Sequence, residues 1–165
     1  MAETKSSNPS PPVELQETGG QSVDSEAKII EYEVVIDGRA VGEVILGARR
    51  EDREVSIDWL SINSDERGKG YSKLALANAM AHILKTYRWA NTITSSTDSV
   101  AAMRATIATP VPEGWRRTFS LHARKEDLSH DDEIFVPFGQ TDDPDEALSC
   151  VEMGGSVTTS IEKDI

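Results

Sequence analysis

Cysteine is nearly absent from this 165-residue chain, whose single example is Cys150. One cysteine can form neither an internal disulfide nor a thiolate metal cluster, so the composition fits a reducing cytoplasm. The three histidines (His82, His122 and His130) lack the spacing of paired metal ligands, and we expect no metal site. No apolar run is long enough to span a membrane, and the first residues lack the apolar core of a secretory signal.

Basic residues are also scarce, since 17 lysines and arginines stand against 29 acidic residues and the formal net charge is -12. The excess of acid lies at the two ends of the chain. Residues 126–165 carry 12 acidic residues and 1 basic residue, whereas residues 29–125 carry 12 acidic and 14 basic residues. The overall charge therefore does not exclude an anionic ligand in the central segment.

Composition divides the chain into one domain and two tails. Residues 1–27 are rich in Ser, Pro, Gly and Glu, and they offer too few large apolar groups to offset the entropy of ordering. Residues 140–165 are acidic and rich in Gly, Ser and Thr. Both segments are predicted to be disordered, and residues 28–139 are predicted to form a single domain.

Hydrophobic periodicity within that domain predicts the order β-β-β-α-β-α-β-β. The predicted strands are 29–36, 40–46, 55–62, 89–95, 115–124 and 133–138, and the predicted helices are 71–85 and 96–107. A strand-helix-strand step requires a parallel neighbour with a right-handed crossover. We therefore predict an α/β (α+β) fold, with a mixed, mainly antiparallel sheet flanked by helices.

The turn Arg67-Gly68-Lys69-Gly70 lies between a predicted strand and a predicted helix. Glycine lets the backbone turn tightly and bring its N–H groups close to a ligand. The helix N-terminus adds free donors and partial positive charge, and the two cations add full charges. These features favour a pyrophosphate or similar polyanion, although a glycine-rich connector with two solvated cations fits the same four residues. The spacing is neither that of a Walker A loop nor that of a dinucleotide fingerprint.

The stretch S-I-N-S-D-E-R-G-K-G-Y-S-K-L-A-L resembles the acetyl-coenzyme A (acetyl-CoA) motif of the GNAT N-acetyltransferase superfamily, [RQ]-x-x-G-x-[GA]. The resemblance covers roughly residues 29–138, as in a compact or N-terminally truncated member. It implies acyl transfer from acetyl-CoA, as co-substrate, to an amine of a small molecule or protein. The residues implied to bind CoA are Ser61 and Ile62 at the pantetheine arm, and Arg67, Gly68, Lys69, Gly70, Tyr71 and Ser72 at the pyrophosphate.

The chain departs from the family pattern at four places. The last motif position is Ser72 where the family has Gly or Ala, and serine is a similarly small residue. Asp98 is assigned to the cofactor site, but it stands where many members have Asn and brings a carboxylate beside an anionic ligand. Seven residues later, Ala105 occupies the position of a tyrosine that usually protonates the departing thiolate. A full member also begins with a strand and two helices that build the acceptor site. Only sequence predicted to be disordered precedes Ile29, so the acceptor cleft is either minimal or completed by a homodimer or protein partner.

Asp58 is the candidate general base, because it lies near a strand position from which several family members reach the attacking amine. The alternation in V-S-I-D also fits a solvent-facing residue with no catalytic role. Two other functions stay open. One is a catalytically silent GNAT-fold binding or regulatory protein, and the other is an interaction protein that acts through its acidic ends. The W-R-R run at 115–117 is read as a packed Trp beside a solvated strand face, so no nucleic-acid partner is predicted.

Overall fold

The computed structural model describes residues 13–24, 26–126 and 133–164. Its elements are β1 (Val13–Ser22), β2 (Ala27–Ile36), β3 (Arg39–Arg49), β4 (Glu54–Ile62), a 3₁₀ turn (Ser64–Glu66), α1 (Tyr71–Thr86), β5 (Thr92–Thr97), α2 (Val100–Ala108), β6 (Trp115–Glu126), β7 (Glu133–Thr141), α3 (Pro144–Glu152) and β8 (Ser156–Lys163). Within these ranges, no helix combines the length and apolar character needed to cross a bilayer.

The strands form one mixed sheet in the order β1-β2-β3-β4-β5-β8-β6-β7. Among the strands of the described residues, only β4 and β5 pair in parallel, and α1 supplies the crossover between them. The other strand pairs are antiparallel. The predicted mixed, mainly antiparallel sheet and its parallel step are therefore confirmed, as is the pairing of residues 115–124 with 133–138.

The three helices cover one face of this sheet. Val157 and Ile161 lie four residues apart on β8 and therefore point to the same face. Val157 packs in the cluster around α3, whereas Ile161 packs in the cluster under α1. Helix α2 contributes Met103 to the first cluster and Ala105 to the second. In the described ranges no helix covers the opposite face, where one row of side chains runs Ser56, Thr94, Ser160, Thr118.

The prediction of a disordered N-terminal tail over residues 1–27 is wrong for the part that the structure describes. Strand β1 pairs antiparallel with β2 from Val13↔Ile36 to Ser22↔Lys28. Val13 and Leu15 pack against the core, and backbone pairing orders the polar positions between them. An edge strand needs few apolar side chains, which is why composition missed it. Residues 1–12 lie outside the described residues.

The prediction of a disordered tail over residues 140–165 is also wrong. Asp143 caps α3, with its carboxylate accepting the N–H of Asp145 at 2.9 Å, and Pro144 opens the helix. Strand β8 inserts between β5 and β6, with Val157, Thr159 and Ile161 buried. Of the three buried positions of β8 only Val157 and Ile161 are apolar, so composition gave little sign of this strand. The domain therefore extends well beyond residues 28–139.

Cys150 lies in the segment that composition predicts to be disordered, but its side chain is buried where α3 packs on β6 and β8. Two predicted element boundaries also shift. The strand predicted from residue 89 begins at Thr92, and the helix predicted from residue 96 begins at Val100, after Ser99 caps it. The order of the central elements is unchanged by these shifts.

Candidate functional site

A cleft opens where β4 and β5 separate. The two strands pair at only four positions, ending at Ile57↔Ser95. Beyond that point β4 continues beside β3, while β5 continues beside β8. A bulge in β4 leaves Asp58 without a partner on β3 immediately after the last pair. The resulting cleft has a volume of about 650 Å³ and is lined by β4, the first turns of α1 and α2, and the end of β5.

The glycine turn forms one wall of this cleft and presents a row of free donors. Gly68 and Gly70 adopt φ values of 83° and 78°, and Gly70 is the N-cap of α1 without a side-chain acceptor. Within the described residues, the backbone N–H groups of residues 67–73 donate to no protein acceptor. The first turn of α1 contains no acidic residue. Such a run of unpaired amides at a helix N-terminus is a site for an anion.

Both cations of the turn form contacts with other groups of the protein. Lys69 Nζ lies 2.8 Å from Glu66 Oε2, which also accepts from Arg39 Nη2 at 3.1 Å. Arg67 Nε donates to the backbone carbonyl of Ile62 at 3.1 Å. Hydrogen bonding to Lys69, together with the charge of Arg39, holds the pKa of Glu66 below its usual range. These side chains fix the shape of the turn, and the donors that face the cleft are mainly the backbone amides.

Asp58 lies next to the point where β4 and β5 separate, with its side chain on the face of the sheet that carries no helix. Its Oδ1 accepts from Ser56 Oγ at 2.6 Å. Gly47 of β3 makes room for it, because a Cβ there would lie 2.7 Å from Asp58 Oδ2. The next residue, Trp59, is 52% exposed, and its Nε1 donates to Glu43 Oε1 at 3.0 Å. An exposed carboxylate at this point can accept a proton from an amine that approaches the gap from the open face.

The α2 side of the cleft contains two of the positions at which the sequence departs from the family pattern. Asp98 is exposed and directly precedes Ser99, whose Oγ accepts the N–H of Ala102 at 3.3 Å. Ala105 lines the same wall and offers no proton donor. The sequence did not predict that the hydroxyl-bearing residues Ser95, Ser96, Thr97, Ser99 and Thr106 also line the cleft. The run S-S-T-D-S at the end of a predicted strand is the signal that would have indicated them.

The structure brings nearly all of the assigned residues to one cleft. The assigned residues that line it are Asp58, Ser61, Ile62, Arg67, Gly68, Gly70, Tyr71, Ser72 and Asp98. Lys69 does not line it and instead pairs with Glu66. No group of three or more His, Cys, Asp or Glu side chains in the described ranges is arranged to hold a metal ion.

This architecture is similar to that of solved GNAT acetyltransferases. A GNAT family acetyltransferase from Elizabethkingia anophelis with acetyl-CoA bound superposes with a TM-score of 0.51 at 9% identity, covering 81% of this chain and 76% of that one. A Bacillus subtilis acetyltransferase in complex with CoA gives a TM-score of 0.54 at 16% identity, covering 90% and 99%. Spermidine N-acetyltransferase from Vibrio cholerae, in complex with CoA and spermine, gives 0.52 at 13% identity.

The coverage of the Vibrio cholerae enzyme is 82% of this chain and 66% of that one. No protein-family profile matches the sequence, and no curated protein does. At these identities the similarity establishes the fold, and the chain has the GNAT fold. The fold that the sequence predicted from its glycine turn and its order of elements is thereby confirmed.

Proposed function

We propose that this protein transfers an acetyl or related acyl group from acetyl-CoA to an amine of a small molecule or protein. One observation carries the proposal. The free amides of residues 67–73 form an anion site at the edge of a gap in the sheet. A pyrophosphate bound there would leave the rest of an extended ligand free to enter the gap between β4 and β5.

The residues of the cleft divide the binding of acetyl-CoA between them. The amides of residues 67–72 hold the pyrophosphate, and the backbone at Ser61 and Ile62, which β5 leaves uncovered, lies along the pantetheine arm. This route directs the thioester toward the point where β4 and β5 separate. The acceptor amine approaches from the open face, where Asp58 lies.

The reaction is a direct transfer. The nitrogen of the neutral amine attacks the thioester carbon and forms the C–N bond, and Asp58 accepts the proton that the nitrogen loses as it becomes an amide. The C–S bond then breaks and CoA leaves as a thiolate. Because Ala105 supplies no proton to that thiolate, the thiolate has to leave unassisted or take a proton from another hydroxyl of the cleft or from water.

Calorimetric titration of acetyl-CoA into the full chain tests the cofactor assignment, with desulfo-CoA as the comparison ligand and Gly70→Leu as the comparison variant. Binding of acetyl-CoA and desulfo-CoA to the wild type that is much weaker in Gly70→Leu supports a CoA site in the cleft. A panel of primary amines, including polyamines and peptides with free N-termini, then tests transfer by the release of free thiol. Absence of acetyl-CoA binding at millimolar concentration would overturn the proposal.

A binding or regulatory protein with the same fold is the second candidate, and Ala105 is the observation that favours it. In this case acetyl-CoA binds at the glycine turn, but no amine in the panel accepts the acyl group. Any amine that turns over many times per protein molecule excludes this candidate. The third function, an interaction protein acting through acidic tails, assumed that the C-terminal segment is a disordered tail. Residues 144–163 instead fold largely into α3 and β8, so this function has less support.

A further inference from the structure

A second concave site lies at the opposite end of β4 from the glycine turn. Eight residue steps separate Glu54 from Ile62, so the two ends of this strand are roughly 26 Å apart. The pocket at the Glu54 end has a volume of about 450 Å³. Its lining consists of Arg50, Arg53, Arg88, Trp89, Ala90, Asn91 and Lys163. Four cations and no acidic residue therefore line one pocket of a protein whose formal net charge is -12.

These four cations are not neutralised by the protein. Among the described residues, the side chains of Arg50, Arg53, Arg88 and Lys163 form neither an ion pair nor a hydrogen bond. Acidic residues are their neighbours in the sequence, as in the run R-R-E-D-R-E, but none of these lines the pocket. The pocket is therefore a local positive region on an acidic protein, which attracts and concentrates anions.

The backbone holds the three segments of the pocket in place. The carbonyl of Arg53 accepts the N–H groups of Asn91 and Thr92 at 2.9 and 3.2 Å. The N–H of Lys163 in turn donates to the carbonyl of Asn91 at 2.9 Å. These bonds tie the β3–β4 turn to the α1–β5 connection and to the end of β8. The fold therefore holds the backbone positions that carry these cations close to one another.

A second pocket, lined by both aromatic and aliphatic side chains, adjoins the cationic one and shares part of its wall. It has a volume of about 300 Å³, and its lining includes Arg88, Ala90 and Lys163, which also line the cationic pocket. Its remaining lining residues are Ile83, Leu84, Tyr87 and Trp115. Two aromatic rings and two aliphatic side chains thus stand beside the cations. A ligand that fits both halves has a multiply charged anionic group next to a flat or apolar group.

We propose that this end of the sheet binds a nucleoside polyphosphate, with its phosphates on the cations and its base against Tyr87 and Trp115. Four guanidinium and ammonium groups match the charge of a di- or triphosphate. Aromatic rings beside them provide a surface for a base. Inorganic phosphates would use only the cationic half, and an apolar anion with a single charge would leave most of the cations without a partner. The proposal does not depend on the acyltransferase assignment.

Titration of ADP into the full chain tests the proposal, with the paired substitution Arg50→Ala and Arg88→Ala as the diagnostic variant. The paired substitution Lys28→Ala and Arg104→Ala is the matched control, because it removes the same charge from exposed positions outside both pockets. Each lost contact to a phosphate should weaken binding about tenfold. We expect about a hundredfold loss in the diagnostic variant, a change of less than about threefold in the control, and weaker binding of inorganic pyrophosphate than of ADP.

Three results would overturn the proposal. The first is equal ADP affinity in the diagnostic and control variants. The second is an affinity for inorganic pyrophosphate that equals the affinity for ADP and depends on the same two arginines, or binding of a single-stranded oligonucleotide through these arginines without binding of ADP. The third is ADP binding that is lost in Gly70→Leu and retained in the Arg50 and Arg88 variant, because that result places the nucleotide in the β4–β5 cleft.

Discussion

Replacement of Gly70 by leucine separates the role of the glycine turn in binding from its role in folding. Gly70 adopts φ 78°, and a Cβ added to it would meet no atom within 4 Å. The side chain would therefore project into open space at the edge of the cleft that Gly70 lines. That space is where the proposed pyrophosphate contacts the free amides of the turn. We expect acetyl-CoA binding to be lost while the fold is retained.

The two effects have different sizes. A left-handed conformation costs a residue with a Cβ about 1–2 kcal/mol. For a chain of this length, such a cost lowers the melting temperature by roughly 2–8 °C and leaves most molecules folded. Displacing the pyrophosphate from two amides removes two charge-assisted hydrogen bonds of about 1.5–3 kcal/mol each. The dissociation constant for acetyl-CoA should then rise by about 10² to 10⁴.

Gly114 provides a matched control. It adopts φ 82°, a Cβ there also meets nothing within 4 Å, and it does not line the cleft. Gly114→Leu should reproduce the fall in melting temperature with unchanged acetyl-CoA affinity. Calorimetry and thermal unfolding of the wild type and both variants give the two quantities. Unchanged affinity in Gly70→Leu, or an equal loss of affinity in both variants, would refute the assignment of the turn.

Three further outcomes are expected. Asp58→Asn should lower kcat/KM by about 10²–10⁴ with acetyl-CoA affinity unchanged, whereas a purely solvent-facing Asp58 predicts wild-type kinetics. The lowered pKa of Glu66 stabilises the fold above the ordinary pKa of a glutamate, and this contribution is lost as the pH falls through the folded value. The free energy of unfolding, measured with urea from pH 7 to pH 3, should therefore fall less in Glu66→Gln than in the wild type. Identical slopes of this free energy against pH would contradict this account. A chain ending at residue 141 should lose the cooperative unfolding transition seen by circular dichroism, because β8 lies between β5 and β6; retention of that transition would contradict the assigned order of strands.

The sequence by itself determined the central elements and the glycine turn, because these depend on local chemistry. Alternation fixes the faces of β2 to β4, and the two glycines of Arg67-Gly68-Lys69-Gly70 provide the positive φ angles that the turn requires. The order of these elements, together with the motif, predicts the GNAT fold. Composition, in contrast, was misleading at both ends of the chain.

Only the tertiary structure decided what happens between segments that are distant in sequence. It inserted β8 into the middle of the sheet, separated β4 from β5 beside Asp58, and engaged Lys69 with Glu66 instead of leaving it free. It also brought cations from the β3–β4 turn, the α1–β5 connection and the end of β8 to a single pocket. These contacts depend on the register of the strands and on the path of the crossover connections. Neither produces a periodic pattern in the sequence of the residues that come into contact.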